Sequence, residues 1–320
     1  MTPQASGGTL YFIGVTTAAS SINRVFPRWA ALLGLGEAKL VGIDLPVGVG
    51  AVALRPAIAA VAADRQALGA LVTTHKIAVA QHAAALFAEI DPWAQRLGEI
   101  GAIVRRRDGD LIGHATDPVT SGLALDALVG ADWWRQRPEA AALLLGAGGA
   151  SLALAAGLLA RAPDRRPQAI TIADVAVERL AHCRSHLAHS PAAGLLRFEP
   201  VSGAADNDRL VATLPPGSLV VNGTGLGKDR PGSPLSDAAR FPEGGAAWEL
   251  NYRGDLVFLR QARAQAAARG LTVGDGWRYF VHGWSHVVAL AFGLALDPAI
   301  DARLLAAADG ARPNVMIGPQ

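Results

Sequence analysis

Apolar residues in the first third of the chain fall into short runs that alternate with helical stripes. The run TLYFIGV at 9–15 reads as a strand. Positions 23–35 read as a helix, because Val25, Phe26, Trp29, Leu32 and Leu33 recur at a spacing that covers one face. Strand-like 38–47, helical 55–68, strand-like 70–74 and helical 77–90 follow. Strands separated by helices of this length predict βαβ units and a largely parallel sheet. The stretch 100–117 holds two short strand-like pieces about Asp108 and Gly109, a dipeptide suited to a tight hairpin turn. The arginines 105–107 beside that turn read as a solvated edge.

A second series starts near Pro118. It runs through a helix at 119–129, a strand at 143–148, a helix at 151–161, a strand at 169–174, a helix at 175–187 and strands at 196–201 and 219–224. A Pro/Gly-rich loop at 225–235 precedes a strand at 246–250. The remaining helices, near 256–269, 277–294 and 302–308, come with no strand of their own, so they must cover something already built. The pattern predicts an α/β protein of two domains, at 1–117 and 118–254, with C-terminal helices at 255–320 returning to the first.

Composition narrows the function. With 51% hydrophobic and 18% charged residues, the chain must bury a sizeable core. Its formal charge of +2 gives no electrostatic footprint for nucleic acid or anionic lipid. A single cysteine, Cys183, excludes intramolecular disulfides and CxxC sites and fits a reducing compartment. No secretion signal opens the sequence, so a cytoplasmic location is expected. Residues 140–160 carry no charge and are long enough to cross a bilayer, but Gly146, Gly148 and Gly149 interrupt them. A buried strand, a turn and a packed helix explain that run without lipid.

Gly146, Gly148, Gly149 and Ala150 follow an apolar strand and open a helix, the context in which a glycine string binds a dinucleotide. The first glycine permits the turn, the next lets backbone approach a pyrophosphate, and the helix-start amides face its charge. Asp174 ends the next strand, 28 residues after Gly146, where a carboxylate can accept hydrogen bonds from an adenosine ribose. That acid would repel a 2′-phosphate, so NAD is expected over NADP. Asp174 also fits a plainer role at the start of the following helix. Of the 29 basic residues, 26 are arginine, leaving Lys39, Lys76 and Lys228. Arginine keeps its proton at any useful pH, so among the basic side chains a place needing an exchangeable proton cannot follow this bias, and each lysine merits inspection.

Four segments, in order, resemble the shikimate/quinate dehydrogenase family over nearly the whole length. LVTTHKIAV around Lys76 resembles NVTxPxK, and GHATDPVTSG around Asp117 resembles GxNTDxxG. LLLGAGGASLA resembles the family's phosphate-binding turn, and VVNGTGLGKD resembles its INATxxGM stretch near the nicotinamide. The resemblance implies an N-terminal substrate domain, a Rossmann-like NAD(P) domain and C-terminal helices that return to the first domain. It implies Lys76 and Asp117 as the catalytic pair, with Asn222, Thr224 and Gly225 on the cofactor. Oxidising a secondary alcohol needs a group to take the hydroxyl proton as hydride leaves, which a lysine beside a carboxylate can do. Asp117 equally reads as a helix start.

The same resemblance puts Ser20, Ile22, Val72, Ala115 and His282 at substrate-binding positions, and several depart from the family. Ile22 stands for the second serine of SxSP. Ala70 and Val72 replace the asparagine and threonine of NVTxPxK, Ala115 replaces the asparagine of GxNTD, and His282 replaces a glutamine. Each buried substrate group left unpaired costs about 1 to 3 kcal/mol. The expected substrate is therefore a small alcohol, carboxylic in kind but other than shikimate. A non-catalytic metabolite sensor of the same fold is the alternative, and a homodimer is left open. His182, Cys183, His186 and His189 share a helix but lack a third-ligand pattern, so no metal is expected. His286, four residues beyond His282, reads as packing.

Overall fold

A computed structural model of the chain describes residues 7–228 and 230–313. The described residues separate into two compact units, one of residues 7–117 with 281–313 and one within residues 118–280. The first unit holds β1 (Thr9–Gly14), α1 (Ile22–Leu33), β2 (Lys39–Asp44), α2 (Ala51–Ala63), β3 (Ala67–Val72), α3 (Lys76–Ala83), β4 (Glu89–Ile90), α4 (Pro92–Leu97), β5 (Ala102–Arg105) and β6 (Leu111–His114). Its sheet runs in the order β2-β1-β3-β5-β6-β4. β1 pairs in parallel with β2 and β3, whereas β5 is antiparallel to both β3 and β6. The hairpin expected about Asp108 and Gly109 is the β5–β6 connection, with Gly109 at φ 103. Arg105 is not simply solvated, since its Nε donates to the Ala62 carbonyl at 2.8 Å.

α5 (Asp117–Val129) leads into β7 (Ala142–Leu145), α6 (Gly149–Leu159), β8 (Ile170–Asp174), α7 (Val177–Leu187), β9 (Leu196–Pro200), α8 (Ala204–Ala212), β10 (Leu219–Asn222), β11 (Ala246–Glu249), α9 (Val257–Arg269) and β12 (Thr272–Gly274). All six strands are parallel, in the order β12-β11-β10-β7-β8-β9. The first strand of this series thus lies at the centre, and the order reverses beside it, which is the doubly wound arrangement. β7 and β10 are buried along their whole length, as a parallel sheet covered on both faces demands. Residues 140–160 are β7, a turn and α6. Among the described residues, no helix is long and apolar enough to cross a membrane.

The chain returns to the first unit later than the boundary at 255 would have it. α9 packs on β11 and β12, and the three-residue β12 closes the parallel sheet, so the segment after 254 does contribute a strand. The return begins at Val281, within α10 (Trp277–Phe292), and ends in α11 (Pro298–Asp309). Apolar burial holds it there: Phe12 meets Trp284 edge-on at 4.9 Å, Phe26 lies 6.5 Å from Phe292, and buried Trp29 donates Nε1–H to the Leu304 carbonyl at 2.9 Å.

Candidate active site

In the first unit, Lys76 is the first residue of α3 and Asp117 the first residue of α5, and their side chains meet in an ion pair. Both are largely withdrawn from solvent, at 22% and 13% side-chain exposure. Burial alone would depress the lysine's pKa, but the charges of Asp117 and then Glu99, with the Asp117 hydrogen bond, outweigh it and raise it. Lys76 therefore rests as an ammonium. Ahead of it the backbone is strained. Thr74 stands at φ 57, a left-handed conformation that a β-branched residue seldom adopts, and the His75 N–H donates to the Thr73 carbonyl across it. His75 is buried, with Nε2 3.1 Å from the Leu45 carbonyl.

The substrate positions implied by resemblance divide sharply. Ile22, Val72 and Ala115 are core residues, at 0%, 0% and 2% exposure. Ser20 is half-buried, and its Oγ accepts from the Ile22 N–H at 3.4 Å. His282 is buried on α10, with Nδ1 3.5 Å from Asp301 of α11. His286 sits one turn on, with Nδ1 3.0 Å from the His282 carbonyl, and burial lowers its pKa.

Two functional candidates escaped the pattern reading. Glu99 is 1% exposed and close enough to Lys76 and Asp117 for their charges to act on it. Glu249, at the end of β11, is fully buried. Both are single carboxylates inside otherwise apolar runs, and that isolation was their one available signal.

In the second unit, Gly146 follows β7 at φ 97, and a Cβ there would lie 2.9 Å from the backbone of Gly223 and Thr224, so only glycine fits. Gly148 caps α6 without a side-chain acceptor, and Gly149 and Ala150 begin the helix, half-buried. The amides of that first turn have no partners within the helix and suit a pyrophosphate. Asn222 shapes the neighbouring loop. Its Oδ1 accepts from the Thr224 N–H at 3.1 Å and hydroxyl at 2.7 Å, while its Nδ2 donates to Glu249 at 2.6 Å. Gly225 continues the loop at φ 75.

Asp174 corrects the ribose expectation. It is buried, its Oδ2 accepts from the Ala147 N–H at 2.6 Å, and its Oδ1 accepts from the Ala176 N–H at 2.8 Å. The carboxylate braces the glycine turn and the start of α7, which is the plainer of the two roles considered for it. Cys183 is buried behind the same turn, its Sγ 3.6 Å from the Ala147 carbonyl, and burial pushes its thiol up to about 12, which leaves it unreactive. The rings of His182 and His186 stack edge-on at 4.4 Å. Among the described residues, no group of three or more His, Cys, Asp or Glu is placed to hold a metal ion.

A doubly wound parallel sheet with a glycine turn at its central strand, in one chain with a mixed-sheet unit carrying a lysine–carboxylate pair, defines a two-unit α/β protein of dinucleotide-binding type. No family model matches the sequence. A shikimate dehydrogenase (NADP(+)) of Methylobacterium radiotolerans is 33% identical over 207 residues, which are 63% of this chain and 66% of that relative, so the match spans just under two thirds of the relative's length. The solved shikimate 5-dehydrogenase of Thermus thermophilus in complex with shikimate superposes with a TM-score of 0.69 at 26% identity, covering 95% of this chain and 98% of that one. The quinate dehydrogenase of Corynebacterium glutamicum in complex with NAD shares the fold, with a TM-score of 0.73 at 20% identity, covering 94% and 98%. The chain is thus similar in sequence to shikimate dehydrogenases and shares the fold of solved shikimate and quinate dehydrogenases.

Proposed function

We propose that the protein is an NAD(P)-dependent dehydrogenase acting on the CH–OH group of a small carboxylic alcohol, with Lys76 and Asp117 as its proton-transfer pair. The ion pair between them carries this reading, because it combines an exchangeable proton with a carboxylate that orients it, both shielded from water. The residues of the glycine turn fit a dinucleotide: Gly146, Gly148, Gly149 and Ala150 would hold its pyrophosphate, and the loop of Asn222, Thr224 and Gly225 would border its reactive end. When bound, that cofactor supplies the acceptor or donor of hydride. In alcohol oxidation the hydroxyl proton passes to the Lys76 amine, and in the reverse direction the Lys76 ammonium returns it.

The substrate is inferred to differ from shikimate. Three positions that the family uses for polar contact are buried apolar residues here, Ile22, Val72 and Ala115, and they offer a ligand no donor or acceptor. Preference for NAD loses its support, because both Asp174 oxygens are engaged by backbone amides and the curated relative carries NADP(+) in its name.

The test is a panel of small hydroxy acids, shikimate and quinate included, assayed with NAD+ and NADP+ on the wild type and on Lys76→Ala. The expected outcome is turnover of at least one member, weak turnover of shikimate, and a loss of about 10²- to 10⁴-fold in kcat for the variant. Tight binding of the dinucleotide without turnover of any alcohol would instead support the metabolite sensor.

A further inference from the structure

Gly98 ends α4 at φ 60, and the chain then turns so that the Glu99 N–H donates back to the Ala94 carbonyl at 3.3 Å. This turn sends the Glu99 side chain inward, where both carboxyl oxygens are buried and neither has a hydrogen-bond partner. The next residues cradle the lysine. The Ile100 N–H donates to the Lys76 carbonyl at 3.0 Å, and a Cβ built on Gly101 would lie 3.3 Å from Lys76 Cε and 3.5 Å from its Nζ. The charged groups that act on Glu99 are Lys76, at the start of α3, and Asp117, at the start of α5. The adjacent ionisable pair, His114 and Asp91, is closed on itself at 2.9 Å.

A buried carboxyl group without a single donor is rare, and each one calls for an explanation. Here the explanation lies in the charge count. Lys76 and Asp117 balance each other, so an ionised Glu99 adds an uncompensated negative charge where no amide or hydroxyl group stabilises it. Its neighbour cation is the one group that favours its ionised form, and in return its charge favours the ammonium.

Building on the reading of Lys76 and Asp117 as the proton-transfer pair, we propose that Glu99 is a positioning residue for that pair, whose own protonation sets how firmly Lys76 keeps its proton. Protonated, it leaves a neutral two-member pair from which the lysine proton departs more readily. Ionised, it makes a three-member cluster that holds the ammonium and keeps it ready as the acid for ketone reduction. Burial, the largest influence, with Asp117 against Lys76, pushes the Glu99 carboxyl up to about 7, so the switch falls near neutrality.

The test has two arms. In alcohol oxidation, the rise of kcat/KM with pH that reports loss of the Lys76 proton is expected to move to lower pH in Glu99→Gln, giving about tenfold faster turnover at a fixed pH on that limb. Superimposable profiles with Lys76→Ala still inactive would overturn the inference and leave the dehydrogenase reading intact. The second arm needs no turnover. Side-chain carboxyl ¹³C titration of the full chain should show Glu99 ionising near neutrality and at higher pH in Lys76→Met, with Glu99→Gln, or Glu99→Asp if the first does not fold, identifying the resonance. A midpoint in the ordinary glutamate range, or one unmoved by Lys76→Met, refutes it even if the alcohol panel finds no substrate.

Discussion

Each unit buries one glutamate, and the two are treated in opposite ways. Glu249, in the parallel-sheet unit, accepts from Asn222 Nδ2 at 2.6 Å, from the Asn251 N–H at 2.9 Å and from Asn251 Nδ2 at 2.7 Å. Glu99, in the mixed-sheet unit, has no donor at all, only the nearby charges of Lys76 and Asp117. Both carboxyls are nevertheless pushed up to about 7, because burial dominates each and the opposing influence differs only in kind. Neutral donors fix a carboxylate in space and let it brace a loop. A cation leaves its geometry open but ties its proton to another group's proton. The first arrangement builds a scaffold, and the second builds chemistry.

The largest expected effect tests the scaffold side. The Glu249 carboxyl has a folded-state pKa above its unfolded value, so the folded protein binds more protons than the unfolded chain between about 4.5 and 7, and stability falls as pH rises through that window. A shift of this size amounts to about 3 kcal/mol. In Glu249→Gln that part of the slope should vanish, read from urea unfolding free energies between pH 5 and 8. An unchanged slope would mean that Glu249 ionises as freely as in the unfolded chain. Next in size is Gly146→Ala. A side chain at φ 97 costs about 1 to 3 kcal/mol, and its Cβ would press on the backbone of Gly223 and Thr224. Calorimetry should give a lower Tm and at least about a tenfold loss of dinucleotide affinity. Normal affinity would remove the glycine turn from the cofactor site.

How much of this was legible in the sequence follows the same division. The parallel unit announced itself, since strand, glycine turn and helix are written in local patterns that backbone geometry reads directly. Lys76 stood out through the scarcity of lysine, and Asp117 through its motif. Asp174 was misjudged because spacing locates a strand end but not the direction in which a carboxylate turns, and two backbone amides claimed it. β12 and β4 were missed because three and two residues are too few to show alternation. Glu99 was invisible for a deeper reason. Its role depends on burial beside residues 23 and 18 positions away along the chain, and nothing in an acidic residue's identity reports the donors it lacks.

Asp91 offers the smallest effect and the closest control, because it lies in the same unit as Glu99 and at the other end of the same helix, yet its carboxylate is fully engaged. Its Oδ1 caps α4 by accepting from the Ala94 N–H at 2.7 Å, and its Oδ2 lies 2.9 Å from His114 Nδ1 and 3.3 Å from the Ala115 N–H. Burial would raise its pKa, but the bonds from His114, Ala94 and Ala115 prevail and hold it below the usual carboxylate range. Its contribution to stability is therefore present above the unfolded value and is lost as pH falls through the lowered one, the reverse of Glu99 and Glu249. Asp91→Ala should cost about 1 kcal/mol near neutral pH, and Asp91→Asn, which keeps a capping oxygen, should cost less. Urea unfolding of the two variants measures this. Equal losses in both would show that the charge of the Asp91 carboxylate, rather than its capping oxygen, supplies the stability.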